Sequence, residues 1–246
     1  MSMLSNIERG SDSNSPSEVE LAKEINQAFL RPMADFTPLL SNYWQTNDER
    51  SLAFCVSEFS VFKKLIALNP NKAEGPDGIP NWLFKENADL LAAAVTDIIN
   101  TSYKESRLPA SWKFANIIPI PKAKPVRNVN KDLRPISLTP IVSKIAEDYI
   151  VNSFIKPAVL KKLDPNQYGT VPRSSTTQAL VSMLHFLNAS TDGNGATTRV
   201  VLFDYRKAFD LIDHKLLLNK LVSYDIPQGV LEWITDFLTH RKQRVK

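Results

Sequence analysis

The chain has 246 residues, of which 43% are hydrophobic and 23% charged, and this composition excludes a collagen, a coiled-coil rod and a wholly disordered chain. It has no apolar run of membrane-spanning length, no N-terminal signal pattern and a single cysteine. We therefore expect a soluble intracellular protein, nuclear or cytoplasmic, without membrane contact, internal disulfide or cysteine-based zinc site. The net charge is −5 over residues 1–60 and +9 over residues 61–246. A basic body favours an anionic partner such as nucleic acid, although many basic domains bind none.

The N-terminal residues predict a disordered tail and one helix. Residues 1–14 are rich in Ser, Asn and acidic residues, so we expect disorder there. A capping box over Ser15–Glu18, followed by apolar residues at helical spacing, predicts a helix over 16–30. We assign residues 15–56 to an N-terminal extension, after which a second helix is predicted to start near Ser57.

A loop, a helix and a hairpin are predicted next. Residues 69–80 contain two glycines and three prolines, which is typical of a turn-rich loop. Helical periodicity resumes over 81–103. The β-branched and apolar residues of Trp112–Pro121 predict a strand, and Leu133–Leu138 is its predicted return strand.

The second half alternates helices with one strand. Helices are predicted from Thr139 to about Phe154 and over 177–189. A β-branched, apolar strand is predicted at Arg199–Phe203. Helical periodicity returns over 211–222 and again over 227–238. The alternation predicts an α/β or α+β body in which helix predominates.

Asp204 is the first candidate functional residue. The predicted strand ends at Asp204, and a carboxylate at a strand end is well placed to bind Mg²⁺, which often takes one or two carboxylates plus substrate phosphates. Alternatively, Asp204 caps the following helix, and helix caps are far commoner than metal sites.

A basic segment is the second candidate feature. Residues 111–135 contain one acid, Asp132, and six cations: Lys113, Lys122, Lys124, Arg127, Lys131 and Arg134. If the two strands pair, several of these cations gather near one end of the hairpin, where they would suit a triphosphate or a nucleic-acid backbone. A solvated edge strand guarded by lysines explains the pattern equally well.

The loop 71–80 is a third candidate feature. Its glycines would permit a close approach to a phosphate backbone. A plain connection between two helices is the commoner role for such a loop.

Six motifs follow one another along the chain. They are NKAEGPDGIP at 71–80, LPASWKFANIIPIPK at 108–122, DLRPISL at 132–138, QYG with STT between 167 and 177, FDYRKAFD at 203–210, and YDI with RKQRV between 224 and 245. Their order resembles the reverse transcriptase region of non-LTR (LINE-type) retrotransposons. The resemblance covers residues 57–246, and residues 16–56 resemble the linker that precedes this region.

The resemblance implies an incomplete right-hand polymerase fold. Helix-rich fingers and the palm entry would occupy residues 57–190, and the first palm strand with its following helices would occupy 191–246. The implied reaction is RNA-templated DNA synthesis, with an RNA template, a DNA primer, deoxynucleoside triphosphates and two Mg²⁺ ions. Nothing in the sequence indicates a protein partner.

The resemblance also implies individual roles. Asp204 would be the first catalytic, metal-binding aspartate, and the backbone carbonyl of Tyr205 a neighbouring metal ligand. Phe209 would crowd a ribose 2′-hydroxyl and so favour deoxynucleotides. Lys122 and Arg134 would hold the incoming triphosphate. The template-binding residues would be Lys72, Gly75, Pro76, Asp77 and Gly78.

The sequence departs from the family pattern in two places. The family carries further palm aspartates in a later Tyr/Phe-Ala-Asp-Asp hairpin, and no Asp-Asp pair occurs here. We therefore expect a truncated chain that is inactive by itself, because one carboxylate cannot hold two metals, unless another chain supplies the missing palm. In addition, residues 170–173 replace a run that usually contains an aromatic residue and glycine.

Two alternative interpretations follow from this departure. The chain could be a non-enzymatic RNA-binding remnant that uses the same basic surface. It could also be an unstable relic whose first palm strand lacks sheet partners.

Overall fold

The computed structural model describes residues 17–40, 43–44, 53–122, 124–192, 197–205 and 207–246. In chain order the elements are α1 Glu18–Leu30, α2 Glu58–Ile66, α3 Asn81–Glu86, α4 Ala88–Lys104, β1 Phe114–Pro121, α5 Val129–Asp132, β2 Leu133–Leu138, α6 Ile141–Ile150, α7 Lys156–Lys161, α8 Thr176–Thr191, α9 His214–Val222, α10 Gln228–Leu238 and β3 Lys242–Val245. A π-helix, Val151–Ile155, joins α6 to α7. The predicted mixture of helices with a small sheet is confirmed. The disorder expected for residues 1–14 lies outside the described residues.

Helix α1 starts at Glu18 because Ser17 caps it. The Ser17 hydroxyl accepts a hydrogen bond from the Glu20 backbone N–H at 3.3 Å, and the Glu20 carboxylate accepts one from the Ser17 N–H at 2.9 Å. This capping box satisfies two backbone donors reciprocally. It lies two residues later than the sequence predicted, while the helix itself is confirmed.

The predicted helix over 81–103 is interrupted at Asn87, which separates α3 from α4. Asn87 ends α3 and precedes the first residue of α4, and its side-chain amide donates to the Leu83 carbonyl at 2.9 Å. The apolar periodicity continues across this break, so the pattern predicted one helix where there are two.

The sheet is built on the predicted hairpin. Strand β1 pairs antiparallel with β2, so that Ile120 lies opposite Arg134 and Pro121 opposite Leu133. On its other side β1 pairs parallel with β3, and the order is β2-β1-β3. The predicted hairpin is therefore confirmed, and β3 lies within the RKQRV motif. Both edges of the central strand are occupied.

The main core joins helices that are far apart in sequence. The indole of Trp233 in α10 donates to the Ser102 hydroxyl in α4 at 3.0 Å, across 131 residues of chain. Its ring lies 5.8 Å from both Tyr103 and Phe237. The Tyr103 hydroxyl donates to the Ala146 carbonyl of α6 at 2.8 Å, and burial raises the pKa of this phenol. The core therefore ties α4, α6 and α10 together.

A second, smaller core holds α1 against the hairpin. Three residues of α1 pack there with the segment that links β1 to β2; the buried members are Leu21, Ile25, Ala28, Val126, Val129 and Leu133. At its edge the Gln243 side-chain amide of β3 donates to the side-chain Oδ1 of Asn26 at 3.0 Å. Helix α1 is thus packed on the sheet.

The strand predicted at Arg199–Phe203 is not formed, and this prediction was wrong. Residues 197–205 have no regular secondary structure, and Leu202 and Phe203 are 85% and 83% exposed. A strand needs a neighbour whose backbone completes its hydrogen-bond ladder. Among the described residues the sheet contains β1, β2 and β3 only. The composition of this segment therefore indicates β propensity, but no pairing partner realises it.

None of the described helices is long and apolar enough to cross a membrane.

Candidate functional site

A cavity of about 410 Å³ lies between the β1–β2 hairpin, the turn that precedes α9, and the end of α1. We call it the hairpin cavity. Lys122 and Arg134 line it from the hairpin, Tyr205 and Phe209 from the turn, and Phe29 from α1. Four of the residues that the motif resemblance singled out are therefore brought together, although they are spread over 88 positions of sequence.

The hairpin register places the two cations at one end of the sheet. Arg134 lies opposite Ile120, and Lys122 follows directly after the last residue of β1. The Lys122 backbone N–H donates to the Asp132 carbonyl at 2.7 Å, and its ammonium donates to the Lys131 carbonyl at 3.0 Å. A phosphate that binds the Lys122 ammonium would meet a group already held at the cavity rim.

The acid of the basic segment has a local structural role. The Asp132 carboxylate accepts hydrogen bonds from the backbone N–H groups of Asn128 at 2.8 Å and Arg127 at 3.0 Å. These two bonds, with a smaller contribution from nearby lysines, hold the pKa of Asp132 below its usual range. Asp132 therefore shapes the loop of the hairpin whose end carries the cavity cations.

The turn after Asp204 carries the aromatic residues of the cavity. Backbone N–H groups of Asp210 and Leu211 donate to the Lys207 carbonyl at 2.9 and 3.0 Å, and Lys207 has a positive φ of 52°. Phe209 is 86% exposed at this turn. An exposed aromatic ring at a cavity rim can contact a bound ligand without first breaking a packed core.

The helix cap that follows the turn is Asp213. Its carboxylate accepts from the N–H groups of Lys215 at 2.7 Å and Leu216 at 3.1 Å. The alternative in which Asp204 caps the following helix is therefore wrong. Asp210 belongs to the turn and Asp213 is the cap, so the helix predicted over 211–222 begins at His214.

The ligands for the metal that the resemblance implies are incomplete. Asp204 and the Tyr205 carbonyl lie together on an exposed segment without regular structure. Across the described residues, no group of three or more His, Cys, Asp or Glu side chains comes together as a metal site. Hard divalent cations take six or more oxygen ligands. These residues alone therefore do not fit a two-metal centre, and no catalytic step follows from them through a metal.

The loop 71–80 connects α2 to α3, and its two glycines serve different purposes. Gly75 is buried, and a Cβ there would lie 2.8 Å from the Pro140 nitrogen and 2.8 Å from the Thr139 oxygen. Gly78 is exposed with a φ of +69°, and its N–H donates to the Gly75 carbonyl at 3.2 Å. Gly75 thus lets the loop pack on the start of α6. A template contact at this loop would use its exposed residues, Lys72, Asp77 and Gly78.

A second cavity, of about 480 Å³, lies beside this loop. Pro76 and Asp77 line it together with Lys242 and Arg244 of β3, and we call it the loop cavity. The guanidinium of Arg244 donates to the side-chain Oδ1 of Asn116 at 2.7 Å. The two cavities lie near opposite ends of β1, which spans about 23 Å at ~3.3 Å per residue.

Sequence reasoning missed Phe29, which also lines the hairpin cavity. Its signal was present as an apolar position in the last turn of the amphipathic helix α1, where packing in a core was the obvious explanation. Its neighbours in the cavity lie about a hundred positions or more along the chain, so periodicity could not identify this role.

Comparison with known proteins identifies the class. Residues 120–246 match the family model described as reverse transcriptase (RNA-dependent DNA polymerase). This match covers more than half of the chain, so the chain belongs to the reverse transcriptase family.

Curated relatives come from mobile elements. The chain is 28% identical over 204 residues to the RNA-directed DNA polymerase from mobile element jockey of Drosophila melanogaster, covering 82% of this chain and 22% of the relative. It is 24% identical over 187 residues to the probable RNA-directed DNA polymerase from transposon X-element of the same species, covering 76% and 20%. It is 29% identical over 164 residues to the transposon TX1 uncharacterized 149 kDa protein of Xenopus laevis, covering 65% and 12%.

These matches confirm the resemblance to reverse transcriptases of non-LTR retrotransposons. The chain spans between 12% and 22% of the lengths of these relatives. The division into extension, fingers and palm entry stays a prediction.

Proposed function

We propose that this chain carries the nucleotide-binding part of an RNA-directed DNA polymerase of a mobile element, which extends a DNA primer on an RNA template. The observation that supports this proposal is the hairpin cavity, in which Lys122, Arg134 and Phe209 meet. Its volume of about 410 Å³ falls within the usual range of small-molecule sites, about 300–1,000 Å³.

The chemistry of the cavity suits a deoxynucleoside triphosphate. The planar guanidinium of Arg134 can hold phosphate oxygens through two parallel hydrogen bonds, and the Lys122 ammonium adds a point charge. Phe209 at the rim would crowd a 2′-hydroxyl, so that a deoxyribose fits and a ribose does not. Asp204 and the Tyr205 carbonyl are the oxygen ligands that the chain would contribute to the divalent metal on which the family generally depends.

The template would follow the exposed part of the loop 71–80. Lys72 is exposed on this loop, and the loop cavity places Lys242 and Arg244 beside Asp77. Contacts of this kind to a phosphate backbone weaken steeply as salt rises, because binding releases counterions.

Nucleotide binding can be tested directly by titrating the chain with dATP in Mg²⁺ buffer and measuring heat by calorimetry. A charge-assisted hydrogen bond contributes about 1.5–3 kcal/mol, so Arg134→Ala should weaken dATP binding by about tenfold or more. Lys220→Ala, at an exposed lysine on α9, is the matched control and should bind as the wild type does. Equal affinities of the Arg134 variant and the wild type would contradict the proposal.

A companion titration with ATP tests the sugar gate. Phe209→Ala should bring the affinity for ATP close to that for dATP, because the ring no longer crowds the 2′-hydroxyl. A primer-extension assay on an RNA template, with Asp204→Ala as the control, then asks whether binding leads to synthesis.

RNA binding without synthesis is the second candidate. The observation that favours it is the incomplete ligand set at Asp204, together with the exposed basic residues beside the loop cavity. Salt-sensitive binding of a primer–template duplex without any extension would support this candidate over the first.

A further inference from the structure

We propose that Phe29 contacts the bound nucleotide, so that the N-terminal extension supplies one wall of the nucleotide site. This inference rests on the proposed function of the hairpin cavity. Among the residues of α1, Phe29 is the one that lines this cavity, together with Lys122, Arg134 and Phe209. The role concerns a residue outside all six motifs.

Helix α1 is held firmly enough to present this ring. Its inner face is buried against the hairpin through Leu21, Ile25 and Ala28, and Ile25 is completely buried. Its start is closed by the capping box at Ser17, and a hydrogen bond from Gln243 to Asn26 ties its side to β3. A side chain on a packed helix can hold a ligand more precisely than one on a loop.

Charged and aromatic groups both line the cavity. Lys122 and Arg134 come from the hairpin end, and the turn adds Lys207 and Asp210. The aromatic rings belong to Phe29, Tyr205 and Phe209. A free phosphate would use the cations alone. A nucleotide would use both kinds of group, because its phosphates meet the cations while its base or sugar packs on an aromatic face.

The position of Phe29 also makes the extension necessary for the site. Phe29 is half-buried at the edge of the small core and reaches the cavity from there. Without α1, Leu133 and Val129 would lose their packing partners next to the cavity. We therefore infer that residues 18–30 belong to the working nucleotide site.

The test compares two probes, dATP and inorganic tripolyphosphate, by calorimetry in the same Mg²⁺ buffer on the full chain. Stacking on one aromatic side chain should account for about a tenfold change in affinity. We expect Phe29→Ala to weaken dATP binding by about tenfold and to leave tripolyphosphate binding unchanged. Phe29→Tyr should restore dATP binding, because the ring is kept.

Leu30→Ala is the matched control, since Leu30 is the next residue on α1, is exposed and does not line the cavity. It should bind both probes as the wild type does. If Phe29→Ala binds dATP normally, or loses both probes equally, the contact role is wrong. If the wild type binds neither probe, the proposed function itself fails, so the two failures are distinguishable. Melting temperatures of all variants check that each is folded.

Discussion

Helices α8 and α10 are both capped or bounded by clear local signals and both carry many apolar residues, but their surroundings differ completely. In α10 the residues Val230, Leu231 and Trp233 are buried against α4 and α9. In α8 none of the sixteen residues is buried, and Leu184 and Phe186 stand open to solvent. The local sequence is therefore enough to form a helix in both places. Burial also requires a packing partner, and of these two helices only α10 has its apolar residues buried in the described part of the chain.

Residues 197–205, which follow α8, extend the comparison to strands. A helix satisfies its backbone hydrogen bonds within itself, so α8 forms although none of its residues is buried. A strand makes none of these bonds within itself and depends on neighbouring strands for them, so Arg199–Phe203 remains without regular structure despite its β-branched and apolar composition. A segment with β propensity therefore forms no strand when it lacks a pairing partner. A helix without a packing partner still forms, but its apolar side chains stay exposed.

The largest effect is expected in the main core. Trp233→Ala should lower the free energy of unfolding by about 3–5 kcal/mol, because it removes the ring between Tyr103 and Phe237 and the bond to Ser102. Urea denaturation followed by circular dichroism measures this change. Trp82→Ala, at a half-exposed tryptophan of α3, is the control and should cost much less. If the wild-type protein unfolds without cooperativity, the result would favour the interpretation of the chain as an unstable relic.

The next largest effect is expected in the loop 71–80. Gly75→Ala should cost about 1–3 kcal/mol, because the added methyl group meets backbone atoms of Thr139 and Pro140 that cannot move aside cheaply. Gly78→Asn should cost little, since Asn tolerates a positive φ and nothing lies within 4 Å of a Cβ there. Thermal melts of the two variants check this difference. Equal costs would mean that the close approach of Thr139 and Pro140 does not set the requirement for glycine at position 75.

A smaller effect sharpens the comparison of helices. Ser175 caps α8 in a capping box with Gln178, as Ser17 does for α1 with Glu20. Replacing either serine by Ala should cost its helix about 1 kcal/mol. In α8 this loss should appear as faster amide exchange along the helix, because no buried contacts hold it. In α1 the small core should confine the faster exchange to the first turn, and identical exchange in both helices would contradict this view.

The smallest effect is a local dependence on pH at the hairpin loop. Hydrogen bonds from Asn128 and Arg127 lower the pKa of Asp132 in the folded state below its ordinary value of 3.8. The ionised Asp132 carboxylate therefore stabilises the hairpin loop fully above pH 3.8, and this stabilisation is lost as the pH falls through the lowered pKa. Amide exchange of Arg127 and Asn128, corrected for the intrinsic effect of pH, should be faster at pH 3 than at pH 5. Asp132→Asn keeps a hydrogen-bond acceptor but cannot titrate. For that variant we expect the same protection of the two amides from exchange at pH 3 and at pH 5.

Much of the candidate site could be predicted from sequence. The motif order identified Lys122, Arg134 and Phe209, and the hairpin pattern brought the first two to one end of a sheet. The hairpin is confirmed, because runs of β-branched and apolar residues bounded by turn signals are local properties that strand pairing then preserves. Their roles in nucleotide binding stay predictions until they are measured.

The sequence by itself determined the helices, the hairpin and the family, because periodicity, caps and motifs are written in neighbouring residues. Only the tertiary structure decided that Gly75 is buried against Pro140, that Phe29 reaches the hairpin cavity, and that Arg199–Phe203 forms no strand. Each of these facts depends on atoms far away along the chain. Such contacts follow from how the elements pack, and a local pattern of residues does not contain that information.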